Sequence, residues 1–163
     1  MSELSIRACV PADVDALIQL FRDSVRSVAR QHYTEAQVLA WAPDEIDHDE
    51  WAAQCASRPV WVAVMDAQID AKTVGFIDLE PDGHIDMLYV HAEHQRRGVA
   101  SALLGVAEGS ARDKRLARLY TEASIPARPF FERRGFRVIA EQVVAIRGQN
   151  LINYRMEKLL VTQ

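Results

Sequence analysis

The stretch IDMLYVHAEHQRRGVASALL, Ile85 to Leu104, constrains this chain more than any other. It opens as an apolar strand, passes through a charged turn with two arginines and a glycine, and continues from Val99 with apolar residues at helical spacing through Leu103, Leu104 and Ala107. A strand that feeds a helix and then another strand of the same sheet must find that second strand parallel to itself. The turn has its own chemistry. A helix N-terminus exposes unpaired amide N–H groups and the positive end of its dipole. A glycine there lets the backbone come close to an anion, and neighbouring arginines add charge and forked donors. Gln95-Arg96-Arg97-Gly98-Val99-Ala100 therefore has the makings of a phosphate-binding turn, the other reading being a solvated basic turn. No G-x-x-x-x-G-K-[ST] and no G-x-G-x-x-G occurs, so neither common nucleotide motif accounts for it.

An anionic ligand would depend on that local cluster, because the net charge is −4. The same figure argues against nucleic acid as a partner, which usually requires a basic face. With 163 residues the chain is expected to form one domain, 1–163. No apolar run approaches the roughly 20 residues of a membrane span. The N-terminal MSELSIRACV lacks the long apolar centre of a signal peptide, so a cytoplasmic, membrane-free protein is expected. Cys9 and Cys55 then stay reduced, and the five histidines form no zinc spacing, so no metal is expected.

Leu4–Cys9 reads as a first strand ended by Pro11, and Asp13 opens a helix carrying Val14, Leu17, Ile18, Phe21, Val25 and Val28 on one face. Thr34 and Gln37 form a capping box for a short helix through Trp41, and a further helical segment covers Asp47–Ala56. Val60–Val64, Thr73–Ile77 and the strand before the basic turn make an antiparallel meander. After the Val99 helix come a strand at Ala117–Ala123, a helix at Ala127–Arg134 stopped by Gly135, and strands around Phe136–Ile146 and Leu151–Leu159 that turn at Gly148-Gln149-Asn150. The expected fold is α/β (α+β): a single mixed, mostly antiparallel central sheet with helices on both faces.

The sequence V-x-A-x-x-Q-R-R-G-V-A between strand and helix resembles the acetyl-coenzyme A motif of the GNAT superfamily of N-acetyltransferases. Gln95, Gly98 and Ala100 match its Q/R-x-x-G-x-G/A in register. Ala127-Arg128-Pro129-Phe130-Phe131-Glu132-Arg133-Arg134-Gly135-Phe136 resembles the family's A-x-x-F-Y-x-x-x-G-F segment, and the likeness spans about Val60 to Phe136. The resemblance implies acetyl-CoA as cofactor. It implies that the strand Met87-Leu88-Tyr89-Val90 pairs with the pantetheine arm, with the Leu88 N–H aimed at the thioester carbonyl. It places Gln95 and the amides of Arg96, Arg97, Gly98, Val99, Ala100 and Ser101 around the pyrophosphate. Ser124, Pro126, Phe130 and Phe131 would line the other side, with Arg134 (or Arg133) reaching the adenosine phosphate. Two departures stand out: phenylalanine at 131, where many members carry a tyrosine that protonates the leaving thiolate, and serine at 124, where asparagine is frequent. Tyr120, Tyr154 or a water are the other proton donors to consider.

Acetyl transfer to an amine requires a base, because an alkyl ammonium has a pKa of about 10. Two-residue alternation turns His84, Asp86 and Leu88 to one face of the strand, so Asp86 is the first candidate base and His84 the second, with Glu80 and Glu122 in reserve. Tyr33 and Trp41, near the acidic run Asp44–Glu50 and Trp51, suit a cationic amine as substrate-binding walls and suit plain helix packing equally. The expected activity is transfer of acetyl to a primary amine of a small molecule, by a monomer or homodimer. Transfer to protein amines ranks lower, since nothing resembles a protein-docking extension. The phenylalanine at 131 keeps open a coenzyme A-binding sensor or interaction module with weakened catalysis.

Overall fold

The computed structural model describes residues 3–66 and 71–161. The strands are β1 (Glu3–Ala8), β2 (Val60–Asp66), β3 (Ala71–Asp78), β4 (His84–Ile85), β5 (Leu88–Val90), β6 (Arg118–Ala123), β7 (Arg137–Ile146) and β8 (Gln149–Leu159). The helices are α1 (Val14–Val28), α2 (Glu35–Trp41), α3 (His48–Ser57), α4 (Val99–Asp113) and α5 (Arg128–Arg133). Hydrogen bonding divides the strands into two four-stranded sheets, β1-β2-β3-β5 and β4-β6-β8-β7. The meander β2-β3-β5 is antiparallel, and the parallel pair that the α4 crossover requires is β4 with β6, His84 opposite Tyr120 and Ile85 opposite Thr121.

Each face of this layer buries one set of helices. Leu17, Leu20, Phe21 and Val25 of α1 pack with Val62, Val64 and Phe76, joined by Tyr33 and Val38 from the α2 region. On the opposite face Val99, Leu103, Leu104, Ala107 and Ala111 of α4 pack with Val74, Ile77, Leu119 and Met156. The spacing of these residues along α1 and α4 is the apolar stripe of a core-facing helix.

Local chemistry sets the boundaries. Thr34 and Gln37 form the expected capping box, each side chain bonded to the other's backbone N–H at 3.1 and 2.8 Å. The helix expected from Asp13 begins one residue later, after a 3-10 turn over Pro11–Asp13, because the Asp13 carboxylate is engaged by the Val10 amide and the Arg7 guanidinium. The last hairpin turns at Arg147-Gly148, earlier than expected, because Arg147 accepts a positive φ of 45° and lets β8 start at Gln149. Gly83, in the turn before β4, admits no side chain: a Cβ there would stand 2.2 Å from the Arg118 carbonyl. That close approach is what brings β4 alongside β6.

Candidate active site

The two sheets part at one place, and a buried acid sits there. Asp78 ends β3 with no solvent exposure, and its Oδ1 accepts the amides of both Asp86, at 2.9 Å, and Met87, at 2.8 Å. Two successive amides aimed at one acceptor cannot belong to a regular ladder. The strand therefore breaks between Ile85 and Leu88: β4 remains with β6, β5 remains with β3, and a gap opens between β5 and β6. Burial pushes the Asp78 carboxyl up to about 6, against the Met87 amide and Arg58, whose guanidinium lies 3.1 Å from Oδ2.

On one side of the gap β5 presents a free edge. Met87 O and His91 N bond across to β3, so by antiparallel alternation Leu88 and Val90 direct their N–H and C=O toward the gap. Gln95 donates to the Val90 carbonyl at 2.8 Å and ties the basic turn to the strand. Gly98 is the N-cap of α4 at φ 80°, with no side-chain cap and no atom within 4 Å of the place a Cβ would occupy. The amides of Val99, Ala100 and Ser101 thus open a helix whose first i to i−4 bond is Ala102 to Gly98, at 3.0 Å. Arg96 and Arg97 are exposed, and Nδ1 of His94 in the same turn is buried without a partner. Arg134, from the end of α5, donates to the Ser101 hydroxyl and stacks over the Phe130 ring at 4.5 Å. The sequence-predicted Ser101, Phe130 and Arg134 thus meet in space. Ser124 instead shapes the turn into α5, its carbonyl accepting the amides of Ala127 and Arg128, and Pro126 lies half-buried within that turn. Phe131 requires a correction. It is 4% exposed and packed between Phe130 and Phe136, with ring centroids 5.3 and 5.0 Å away, so it serves the core rather than lining the cofactor side.

On the other side lie charges. His84 is held between Glu80, at 2.9 Å from Nδ1, and Glu122, at 2.8 Å from Nε2, with its ring stacked on Tyr120. The Glu122 hydrogen bond, aided by Glu80 against the effect of burial, pushes His84 up to about 9. With a carboxylate on each ring nitrogen the imidazolium form is favoured, which speaks against the second-base role expected of His84. Burial raises the pKa of Asp86 despite the opposing charges of His84 and of Arg58, 3.8 Å away. Its carboxylate accepts no hydrogen bond among the described residues. Tyr120, one alternative proton donor, is committed: its hydroxyl donates to Asp82 and its pKa is pushed up to about 12.

Between the parted sheets and α1–α3 lies a cavity of about 300 Å³. Asp86 and Glu122 line it together with five aromatic residues, Phe21, Tyr33, Trp41, Trp51 and Tyr89. The alternation that put Leu88 beside Asp86 fails here. The bulge brings Asp86, Met87 and Tyr89 to the cavity and leaves Leu88 packed on the α4 side. Tyr33 and Trp41 are in the wall, as expected from sequence, in edge contact at 5.7 Å. The Tyr33 hydroxyl is used structurally, donating to the Ile152 carbonyl at 2.6 Å and accepting from the Ile125 amide at 3.0 Å. Phe21, Tyr89 and the β7–β8 wall of Val144, Ile146, Leu151, Ile152 and Asn153 were not singled out for this role. Phe21 carries only the signal of a core-facing helix, and the β8 residues come from a different part of the chain.

Comparison with known proteins converges on one family. An acetyltransferase (GNAT) domain model matches residues 29–158. The N-acetyltransferase YafP of Escherichia coli K12 is 41% identical over 156 residues, covering 96% of each chain. A GCN5-related N-acetyltransferase from Rhodopseudomonas palustris superposes with a TM-score of 0.89 at 32% identity, over 98% of each chain. The PaiA N-acetyltransferase of Thermoplasma acidophilum, solved with coenzyme A, shares the fold with a TM-score of 0.77 at 18% identity, over 97% of this chain and 99% of its own.

Proposed function

This chain belongs to the GNAT superfamily of N-acetyltransferases and is an acyltransferase, and we propose that it moves acetyl from acetyl-CoA to a primary amine of a small molecule. The observation that carries this reading is the gap itself. A free β5 edge and an uncapped helix N-terminus border one side of it, and a half-open aromatic cavity with an unbonded carboxylate borders the other. The features of the first side fit the cofactor. The open space at Gly98, the orphaned Nδ1 of His94 and the Arg134–Ser101 pair all suit a pyrophosphate, while the gap-facing groups of Leu88 and Val90 suit an amide-bearing arm. The PaiA structure, with coenzyme A bound to the same fold, supports that choice. When bound, acetyl-CoA supplies the acetyl group as a thioester open to direct attack by the amine.

The residues of the chain have distinct tasks. The Leu88 N–H, turned to the gap, is placed to polarise the acetyl carbonyl. Asp86 takes the proton of the incoming ammonium, directly or through a water, and its raised pKa makes it a better acceptor than an ordinary aspartate. Glu122 and the imidazolium of His84 fix the electrostatic surroundings of that transfer, which replaces the second-base role expected of His84. Phe131 is in the core and has no proton to give, and the Tyr120 hydroxyl is committed to Asp82, so neither would protonate a departing thiolate. Tyr154 or a water would be the donor if one is used. A thiol pKa near 8.5 makes unassisted departure tolerable. We read residues 1–163 as one catalytic domain.

Thiol release from acetyl-CoA, measured across a panel of small amines and across peptides with free N-termini or lysines, tests the assignment. Turnover with small amines and none with peptides is the expected result. Coenzyme A binding by calorimetry with no turnover on any amine would replace the enzyme by a sensor, and a preference for peptides would move the acceptor to protein.

A further inference from the structure

The acceptor cavity has an unusual distribution of charge, and this distribution selects a substrate class within the function proposed above, on which the selection rests. All of its ionic character is gathered at one end. Oxygens of Asp86 and Glu122 and a ring nitrogen of His84 lie within 4.8 Å of one another, an area the size of a single ammonium group. The rest of the wall is aromatic or aliphatic, with Gln54, Ser124 and Asn153 as its neutral polar members.

No lysine or arginine lines the cavity among the described residues. The nearby arginines are engaged elsewhere or lie outside the wall. Arg58 is not in the wall; it is held by Glu80 at 2.5 Å and Asp78 at 3.1 Å and reaches Asp86 only at 3.8 Å. Arg147 donates to the Ala40 carbonyl at 2.7 Å. Arg155, opposite Glu122 in the β6–β8 ladder, is exposed. Of the neutral polar groups, the Asn153 side-chain oxygen accepts from Gln142 at 2.8 Å, and the Tyr33 hydroxyl is spent on backbone, donating to the Ile152 carbonyl.

A carboxylate on the acceptor would therefore enter beside Asp86 and Glu122 with no uncommitted cation to neutralise it, since His84 is already held between Glu80 and Glu122 and Arg58 by Asp78 and Glu80. That costs both desolvation and like-charge repulsion. A second ammonium several ångströms from the first fares no better, because the two carboxylates form one cluster and the aromatic walls offer no further counter-charge. A single ammonium on an apolar body meets its needs at both ends: carboxylates for the charge, and indole, phenol and phenyl faces for the body. We infer that the acceptor is a compact primary amine with one positive charge, an aromatic or branched apolar body and no carboxylate, rather than an amino acid or a polyamine. A volume of about 300 Å³ sets the size at the small end of ligand pockets.

Three small probes decide this: phenethylamine, its carboxylated counterpart phenylalanine, and the diamine putrescine. Turnover is followed by thiol release, and occupancy by the fluorescence of Trp41 and Trp51, which line the cavity. Phenethylamine should exceed each of the others in kcat/KM by about a hundred-fold, the scale of an unpaired buried charge. Gln54→Arg, an exposed wall residue able to supply the missing cation, should raise the phenylalanine to phenethylamine ratio at least about tenfold. Phenethylamine that perturbs the fluorescence while none of the three probes is acetylated upholds the ligand class of the cavity and overturns the proposed transfer to small amines. Equal or better use of phenylalanine or putrescine overturns the class while leaving the enzyme intact, and failure of phenethylamine to bind at millimolar concentration overturns the class as well.

Discussion

The two sides of the gap are built on different plans. On the β5 side the groups that would meet a ligand are mainly backbone: the gap-facing amides of Leu88 and Val90 and the first-turn amides of α4, all within residues 88–101. Arg134 is the contribution from farther along the chain. On the cavity side the groups are side chains, drawn from α1, α2, α3, the bulge, β6, β7 and β8, from Phe21 to Asn153. A backbone site needs a conformation, and conformation is written locally in glycine, helix start and strand. A side-chain site needs a meeting of distant elements. The first tolerates many sequences around a short motif, whereas the second is free to change its substrate with each wall residue.

If this division is right, the cavity side should lose chemistry without losing the cofactor. Asp86→Asn keeps size and removes basicity, so kcat/KM for an active amine should fall by about 10²–10⁴ at neutral pH with coenzyme A affinity unchanged. The loss should shrink as the pH approaches the amine's own pKa. A mutant with a wild-type pH–rate profile would place the base elsewhere, Glu122 being next in the same wall.

Asp78 is where the two plans join, so its removal should break the comparison. Asp78→Ala strands the amides of Asp86 and Met87 and leaves the Arg58 charge short of a partner. We expect about 3–5 kcal/mol of lost stability by denaturant unfolding. We also expect a higher KM for acetyl-CoA together with a lower kcat, because β5 and Asp86 are positioned by the same carboxylate. A change confined to one parameter would mean that the sides are positioned independently.

The same contrast explains what the sequence disclosed. The strand, basic turn and helix of residues 85–104 were legible because each part follows from neighbours in the chain, and the capping box of Thr34 and Gln37 was legible for the same reason. The bulge was hidden, since the acid that creates it lies eight residues before Asp86 and reads as an ordinary strand end. With it went the assignment of faces: alternation is reliable only while a ladder is regular, so Leu88 was placed where Tyr89 belongs. His84 was found but its pairing was not, because its second carboxylate, Glu122, comes from a strand 38 residues away.

His84 also links the site to stability, with a defined sign. Its folded pKa stands above the ordinary 6.5, at about 9, so the stabilisation is complete below 6.5 and is lost as pH rises through 9. Wild type should therefore lose on the order of 1–3 kcal/mol relative to His84→Gln between pH 6.5 and 9. Thermal unfolding of both proteins across that range measures the difference, and parallel curves would show that the Glu80–His84–Glu122 contact does not hold the proton in the folded state.

The smallest expected effect concerns the backbone side, where one side chain should matter only through its charge. Gly98 has a positive φ and open space around it, so a residue placed there meets strain but no collision. Asparagine tolerates that conformation better than most residues. Gly98→Asn should therefore retain coenzyme A affinity within a few-fold, although it carries a side chain. Gly98→Glu adds a negative charge at the N-terminus of α4, where an anion is to be held, and should weaken binding at least about tenfold, or about 1.4 kcal/mol. Added salt should narrow the gap between the two variants, because a charge on an exposed turn is screened. Calorimetry on the pair separates the two causes. Equal losses would mean that shape alone governs the turn, and unchanged affinity in a folded Gly98→Glu protein would remove the pyrophosphate from this turn altogether.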